Sequence, residues 1–166
     1  ELVQQVNGEF AERFEGRNLD LICILQPEPL LIRADSRRIW RVLENLYVNV
    51  CKYAMPGTRV YVDAIKKDGK IQLSIKNISE NPLNFQADEL TERFIRGDVS
   101  RSTEGSGLGL SIAKNLTVLQ HGSFNIYLDG DLFKVTITFD EAVKEKKPMP
   151  PMIVPEAVQE EAQQDA

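Results

Sequence analysis

The 166-residue chain has one histidine, two cysteines and one tryptophan, and its 25 acidic residues outnumber its 20 basic ones. Each scarcity excludes something. Cys23 and Cys51 fit no metal-ligand spacing, so neither a zinc site nor a disulfide framework is expected, and both read as reduced packing residues. A net charge of −5 leaves no basic footprint for nucleic acid. No apolar run approaches the roughly 18 residues of a membrane span, so neither a span nor a signal peptide is expected in these residues. The lone histidine stands in Gln120-His121-Gly122 with no nucleophile partner near it in sequence, and it reads as a helix C-terminal cap interacting with the helix dipole. What is left is the composition of an intracellular globular domain, 42% hydrophobic and 27% charged, sufficient for one sizeable core.

The pattern along the chain divides it into three regions. Residues 1–19 read as a linker helix with Leu2, Val6, Phe10 and Phe14 on one face. Residues 20–140 read as the core domain. Short strands are expected at 19–25 and 30–33, followed by a helix capped by Asp35 or Ser36 and ended by Pro56-Gly57. A hairpin of 59–66 and 70–77 turns at Lys67-Asp68-Gly69, and a second, of 123–128 and 132–139, turns at Asp129-Gly130. Between them residues 79–106 lose strand periodicity apart from a short helix near 88–94, and so long a loop inside a compact domain is usually a functional lid. Residues 141–166 are rich in Lys, Pro, Glu and Gln and read as a flexible tail. Its Met149, Met152, Ile153 and Val154 could dock a partner, although such a cluster in a Pro-rich tail is more often a linker.

Two segments carry chemistry. Gly105-Ser106-Gly107-Leu108-Gly109 runs directly into an apolar-periodic stretch reaching about Gln120. Glycines admit close approach of an anion to the backbone, and a helix starting near Leu108 aims unpaired N–H groups and a positive dipole end at the same point. The spacing is neither a Walker-type cradle nor a dinucleotide fingerprint. The second segment lies on the 35–54 helix, where Ile39, Leu43, Leu46 and Val50 form the apolar face. At about 100° per residue, Asn45, Asn49 and Lys52 fall together at its margin. Two carboxamides one turn apart can offer neutral oxygens to hydrated Mg²⁺, and Lys52 adds a point charge for phosphate.

Three motifs in order, Asn45 to Tyr53, Glu92-Arg93-Phe94-Ile95-Arg96-Gly97-Asp98 and Gly105 to Lys114, resemble the N-box, F-box and second glycine box of the histidine-kinase catalytic domain. That domain belongs to the ATPase superfamily of Hsp90, DNA gyrase and MutL. The resemblance implies an α/β fold, a two-layer α/β sandwich of the Bergerat type with a mixed, mostly antiparallel sheet packed on three helices. It implies ATP and Mg²⁺ as cofactors, with Asn49 a Mg²⁺ ligand, Asn45 close to the metal and phosphates, and Lys52 with Arg96 on phosphate. Tyr53 would flank the nucleotide, Phe94 would anchor the lid, and the amides of Gly107, Leu108 and Gly109, in the cradle opened by Gly105, would bind the triphosphate.

The first glycine box of that family, D-x-G-x-G, is replaced here by Asn77-Ile78-Ser79-Glu80-Asn81. Asn77 occupies the strand-end position, and its oxygen can still accept the adenine amino hydrogen bond without a charge. Because an amide can also turn its nitrogen outward, a weakened preference for ATP over GTP is expected. The wording Lys76-Asn77-Ile78-Ser79 resembles membrane-bound sensor kinases of Gram-positive bacteria. The resemblance further implies transfer of the γ-phosphoryl of Mg-ATP to a histidine on a dimerisation domain that these residues lack, a response regulator downstream, and a membrane-bound homodimeric parent whose monomeric catalytic piece sits on the cytoplasmic side. Two alternatives are a degenerate nucleotide-sensing or docking module and an anti-sigma-factor-type serine kinase.

Overall fold

The computed structural model describes residues 1–83 and 108–142. The expected short helix near 88–94 and the tail beyond residue 142 lie outside the described residues. Helix α1 (Leu2–Gly16) leads into strand β1 (Asp20–Leu25), helix α2 (Ser36–Tyr53) and the hairpin of β2 (Arg59–Lys67) and β3 (Lys70–Ile78). Helix α3 (Gly109–Leu119) and the hairpin of β4 (Ser123–Asp129) and β5 (Leu132–Asp140) complete the described elements.

The five strands form one sheet in the order β1-β2-β3-β5-β4. β1 and β2 are parallel, with α2 as the crossover, and every other pair is antiparallel. This is the mixed, mostly antiparallel sheet with three helices that the sequence leads one to expect. The β2–β3 turn places Asp68 and Gly69 at φ 51° and 71°, the double positive φ of a type I′ loop whose twist suits antiparallel strands. Alternate residues of the strands, Val60 and Val62, Leu73 and Ile75, Val135 and Ile137, face the helices and are buried.

Helix α2 starts where expected, with the Asp35 carboxylate accepting from the backbone N–H of Arg37 (2.9 Å) and Arg38 (3.2 Å). It ends at Tyr53, ahead of Pro56-Gly57, because Ala54 is already extended and bridged to Ser79. The strand expected at 30–33 is a single bridge between Ile32 and Glu141.

Helix α1, expected to be a linker, buries Val6, Phe10 and Phe14 in the same core as the sheet. Its aromatic residues meet Tyr47 of α2, Phe10 edge-on at 5.4 Å and Phe14 stacked at 5.6 Å between ring centroids. The Tyr47 hydroxyl donates to Asn7 Oδ1. Of the two cysteines only Cys51 is a packing residue. Cys23 is exposed on the edge strand β1.

Helix α3 ends in a Schellman motif. The N–H of His121 donates to Val118 O (2.9 Å) and that of Gly122 to Thr117 O (3.0 Å), with His121 in the left-handed region at φ 63°. His121 thus closes the helix through its backbone.

Candidate functional site

The amphipathic pattern of α2 buries Ile39, Leu43, Leu46 and Val50 and leaves Asn45 and Asn49 half-buried one turn apart beside that face. Lys52 and Tyr53 follow, exposed, in the last turn. The first turn of α3 lies on this margin. A Cβ at Gly109 would stand 3.4 Å from Asn45 Oδ1. The Asn45 amide nitrogen is taken by its own helix, donating to Arg41 O at 2.6 Å, which turns the oxygen toward α3. The described part of the second motif, residues 108–114, therefore adjoins the first, residues 45–53, in space.

At the start of α3, Leu108 supplies no side-chain cap. The Ser111 hydroxyl donates back to Leu108 O at 2.8 Å. Among the described residues no side chain caps the first backbone N–H groups of α3, and they carry the positive end of the helix dipole. An anion suits that position.

The third component is the end of β3. Asn77 continues the core-facing row of Ile71, Leu73 and Ile75 and is 3% exposed. Its amide nitrogen donates to Ile78 O at 3.2 Å, and its Oδ1 is buried with no hydrogen-bond partner among the described residues. This strand end is fastened to the end of α2. Met55 N–H donates to Ile78 O (2.9 Å) and Glu80 N–H to Tyr53 O (2.8 Å), and Ser79 N–H donates to Asp131 O (2.8 Å) across the sheet. The segment departing from a glycine-rich wording is held by backbone pairing on both sides.

Arg17, at the end of α1, was not singled out by the sequence. It donates to Ala54 O (3.2 Å) and pairs with Glu80 (3.1 Å), tying α1 to the junction of α2 and β3. Partners 37 and 63 residues away leave no local signal. On the far side of α2, burial pushes the Cys51 thiol above its ordinary value and the Tyr47 hydroxyl well above its own.

Of the remaining expected site residues, Leu108 stands exposed ahead of α3, while Phe94, Arg96, Gly105 and Gly107 lie outside the described residues. Among the described residues no group of three or more His, Cys, Asp or Glu is placed to hold a metal. No helix among the described residues is long and apolar enough to cross a membrane.

Residues 34–143 match the family of histidine kinase-, DNA gyrase B- and HSP90-like ATPases. The chain belongs to this family. It is 31% identical to the signal transduction histidine-protein kinase BaeS of Escherichia coli K12, over 73% of this chain and 26% of that one. It is 30% identical to the sensor protein VanSC of Enterococcus gallinarum, over 75% of this chain and 34% of that one. The chain thus spans a quarter to a third of these relatives. Relatives in both organisms mean that the wording of residues 76–79 does not assign the chain to Gram-positive bacteria. The solved catalytic domain of histidine kinase ThkA superposes with a TM-score of 0.72 at 23% identity, covering 84% of this chain and 90% of that one. As a family member the chain carries an ATP-binding domain, homologous to those of sensor histidine kinases.

Proposed function

We propose that the chain is the ATP-binding catalytic domain of a two-component sensor histidine kinase, transferring the γ-phosphoryl of Mg-ATP to a histidine on a dimerisation domain of its parent. The observation that carries this reading is the packing of the α3 N-terminus against Asn45, which unites carboxamides and anion-seeking backbone amides in one margin. Asn49 would ligate Mg²⁺ through its amide oxygen, with Asn45 next to the metal and phosphates. A hard cation that keeps several waters and takes phosphate oxygens fits such neutral oxygen donors. The bound ion would neutralise phosphate charge.

The chain's own residues would do the rest by positioning. The amides of Gly107, Leu108 and Gly109 would hold the triphosphate, Lys52 and Arg96 would balance its charge, Tyr53 would flank the nucleotide, and Asn77 would receive the adenine amino group. Phe94 would anchor a lid shorter than the expected 79–106 and starting after Glu80, because Ser79 and Glu80 are fastened by backbone hydrogen bonds. Asn45 carries an amide, which cannot act as a base toward water. This favours transfer to a protein side chain over rapid hydrolysis. The acceptor histidine would come from the parent kinase, a membrane-bound homodimer with this domain on its cytoplasmic face. ThkA has been solved with the response regulator protein TrrA, and a response regulator is the corresponding downstream partner proposed here.

The test is titration of a fluorescent ATP analogue with and without Mg²⁺. Asn49→Ala should lose the Mg²⁺-dependent part of the affinity while keeping the wild-type unfolding midpoint. Equal Mg-ATP affinity in variant and wild type would refute the assignment.

A further inference from the structure

We propose that the chain's own C-terminal segment, residues 149–154, seats its apolar side chains in the cavity between the start of α1, the connection from β1 to α2, and the sheet. That segment reads Met149-Pro150-Pro151-Met152-Ile153-Val154 and lies outside the described residues.

The cavity measures about 360 Å³ and is lined by Leu25, Leu30, Ile32, Ile39, Leu43 and Phe139 among others. Leu25, Leu30 and Ile32 pack against the core but are only partly buried, which leaves apolar surface facing water along the connection from β1 to α2. Covering such surface is favourable. Ile39 and Leu43 belong to the helix that carries Asn45 and Asn49, so an occupant of the cavity also braces that helix.

The tail is favoured over a separate partner by where it starts, what it carries and how it is built. It leaves the sheet at the lip of the cavity, where Ile32 is bridged to Glu141 and the N–H of Ala142 donates to Leu31 O at 2.8 Å. The ten residues from Ala142 to Met152 reach up to about 33 Å when extended, enough to double back across the cavity. Such a tether sets a local concentration of millimolar order, which a separate partner would have to match. The charges are complementary. Glu28 also lines the cavity, and the Lys66 ammonium is favoured first by its bond to Glu141 (2.8 Å) and further by the charge of Glu28, so an acidic group stands near the exit. Lys144, Lys146 and Lys147 come immediately before the apolar cluster. Pro148, Pro150 and Pro151 fix their own φ angles and leave less entropy to lose on docking. The tail's composition prevents it from building a core of its own, and a ready-made apolar cavity removes that requirement.

The experiment is methyl NMR on the full chain, with Met, Ile, Leu and Val methyl groups labelled, in wild type and in the double variant Met152→Asp, Ile153→Asp. Wild type should show cross-peaks from Met152 or Ile153 to Leu30 or Ile32. The double variant should lose them and shift the Leu30 and Ile32 resonances, while those of Val60 and Val62 in the sheet stay in place. Absence of these cross-peaks in wild type would overturn the proposal and leave the cavity to another occupant. A sample mixing two differently labelled copies tests for exchange of tails, and cross-peaks between copies would overturn it equally. The wild-type spectrum decides even if the variant folds poorly. The measurement needs no nucleotide, so its outcome is independent of the kinase reading.

Discussion

Phe14 of α1 stacks on Tyr47 of α2, ring centroids 5.6 Å apart and planes inclined by 19°. The contact makes the first helix part of the core that supports Asn45 and Asn49 from behind. Phe14→Ala should then cost about 3–5 kcal/mol, the usual penalty for emptying a buried aromatic site. Urea unfolding measures it. A helix serving only as a connection would leave the midpoint where it is.

Stability should fall in alkaline solution. Burial raises the Tyr47 hydroxyl well above its ordinary value, and burial is also the main cause raising Cys51. In the unfolded chain these groups ionise near about 10 and 8.5 respectively. Above those values the unfolded state holds fewer protons than the folded state, so the contribution is complete below about pH 8.5 and is lost as pH rises. Tyr47→Phe should flatten the decline above about pH 10, while starting from a lower stability for want of the Asn7 hydrogen bond. Unfolding midpoints from pH 7 to 11 read both effects. Identical slopes in variant and wild type would contradict the attribution.

Gly122 is required by space. A Cβ there would stand 2.6 Å from the Phe139 ring and 2.9 Å from Thr117 Cγ2, so Gly122→Ala should destabilise by about 1–3 kcal/mol through overpacking. Gly130, at φ 55° with nothing within 4 Å of its Cβ position, has only backbone strain to lose, and Gly130→Ala should cost about 1 kcal/mol. Thermal melts of the two variants should rank them in that order. The reverse ranking would mean that Phe139 yields easily.

What the sequence reveals depends on how local the cause is. The β2–β3 hairpin is legible because Asp68-Gly69 suits positive φ, and the start of α2 because a carboxylate precedes the apolar pattern. The placement of Asn45 and Asn49 beside the apolar face follows from helical period alone. Residues 30–33 have the apolar character of a strand, yet among the described residues they make only the bridge of Ile32 to Glu141 and the bond from Ala142 N–H to Leu31 O, and pairing is a property of the neighbour. The stripe of Val6, Phe10 and Phe14 tells that a face is buried but not that Tyr47 is what covers it. The orientation of the Asn77 amide depends on a carbonyl held in place by Met55, over twenty residues earlier, and residue type could not reveal it. Arg17 is hidden for the same reason.

The parallel pairing of β1 with β2 bears on how the molecule comes to be folded. Both hairpins close through two-residue loops, whereas β1 meets β2 in parallel across the intervening residues 26–58 that include α2. Closing the longer loop costs more entropy, and non-local pairings generally delay folding. Amides of β3 should accordingly gain protection before those of β1 in pulse-labelled refolding. The helix that presents Asn45 and Asn49 lies within that crossover, so a substitution that weakens α2 should also slow the pairing of the edge strand.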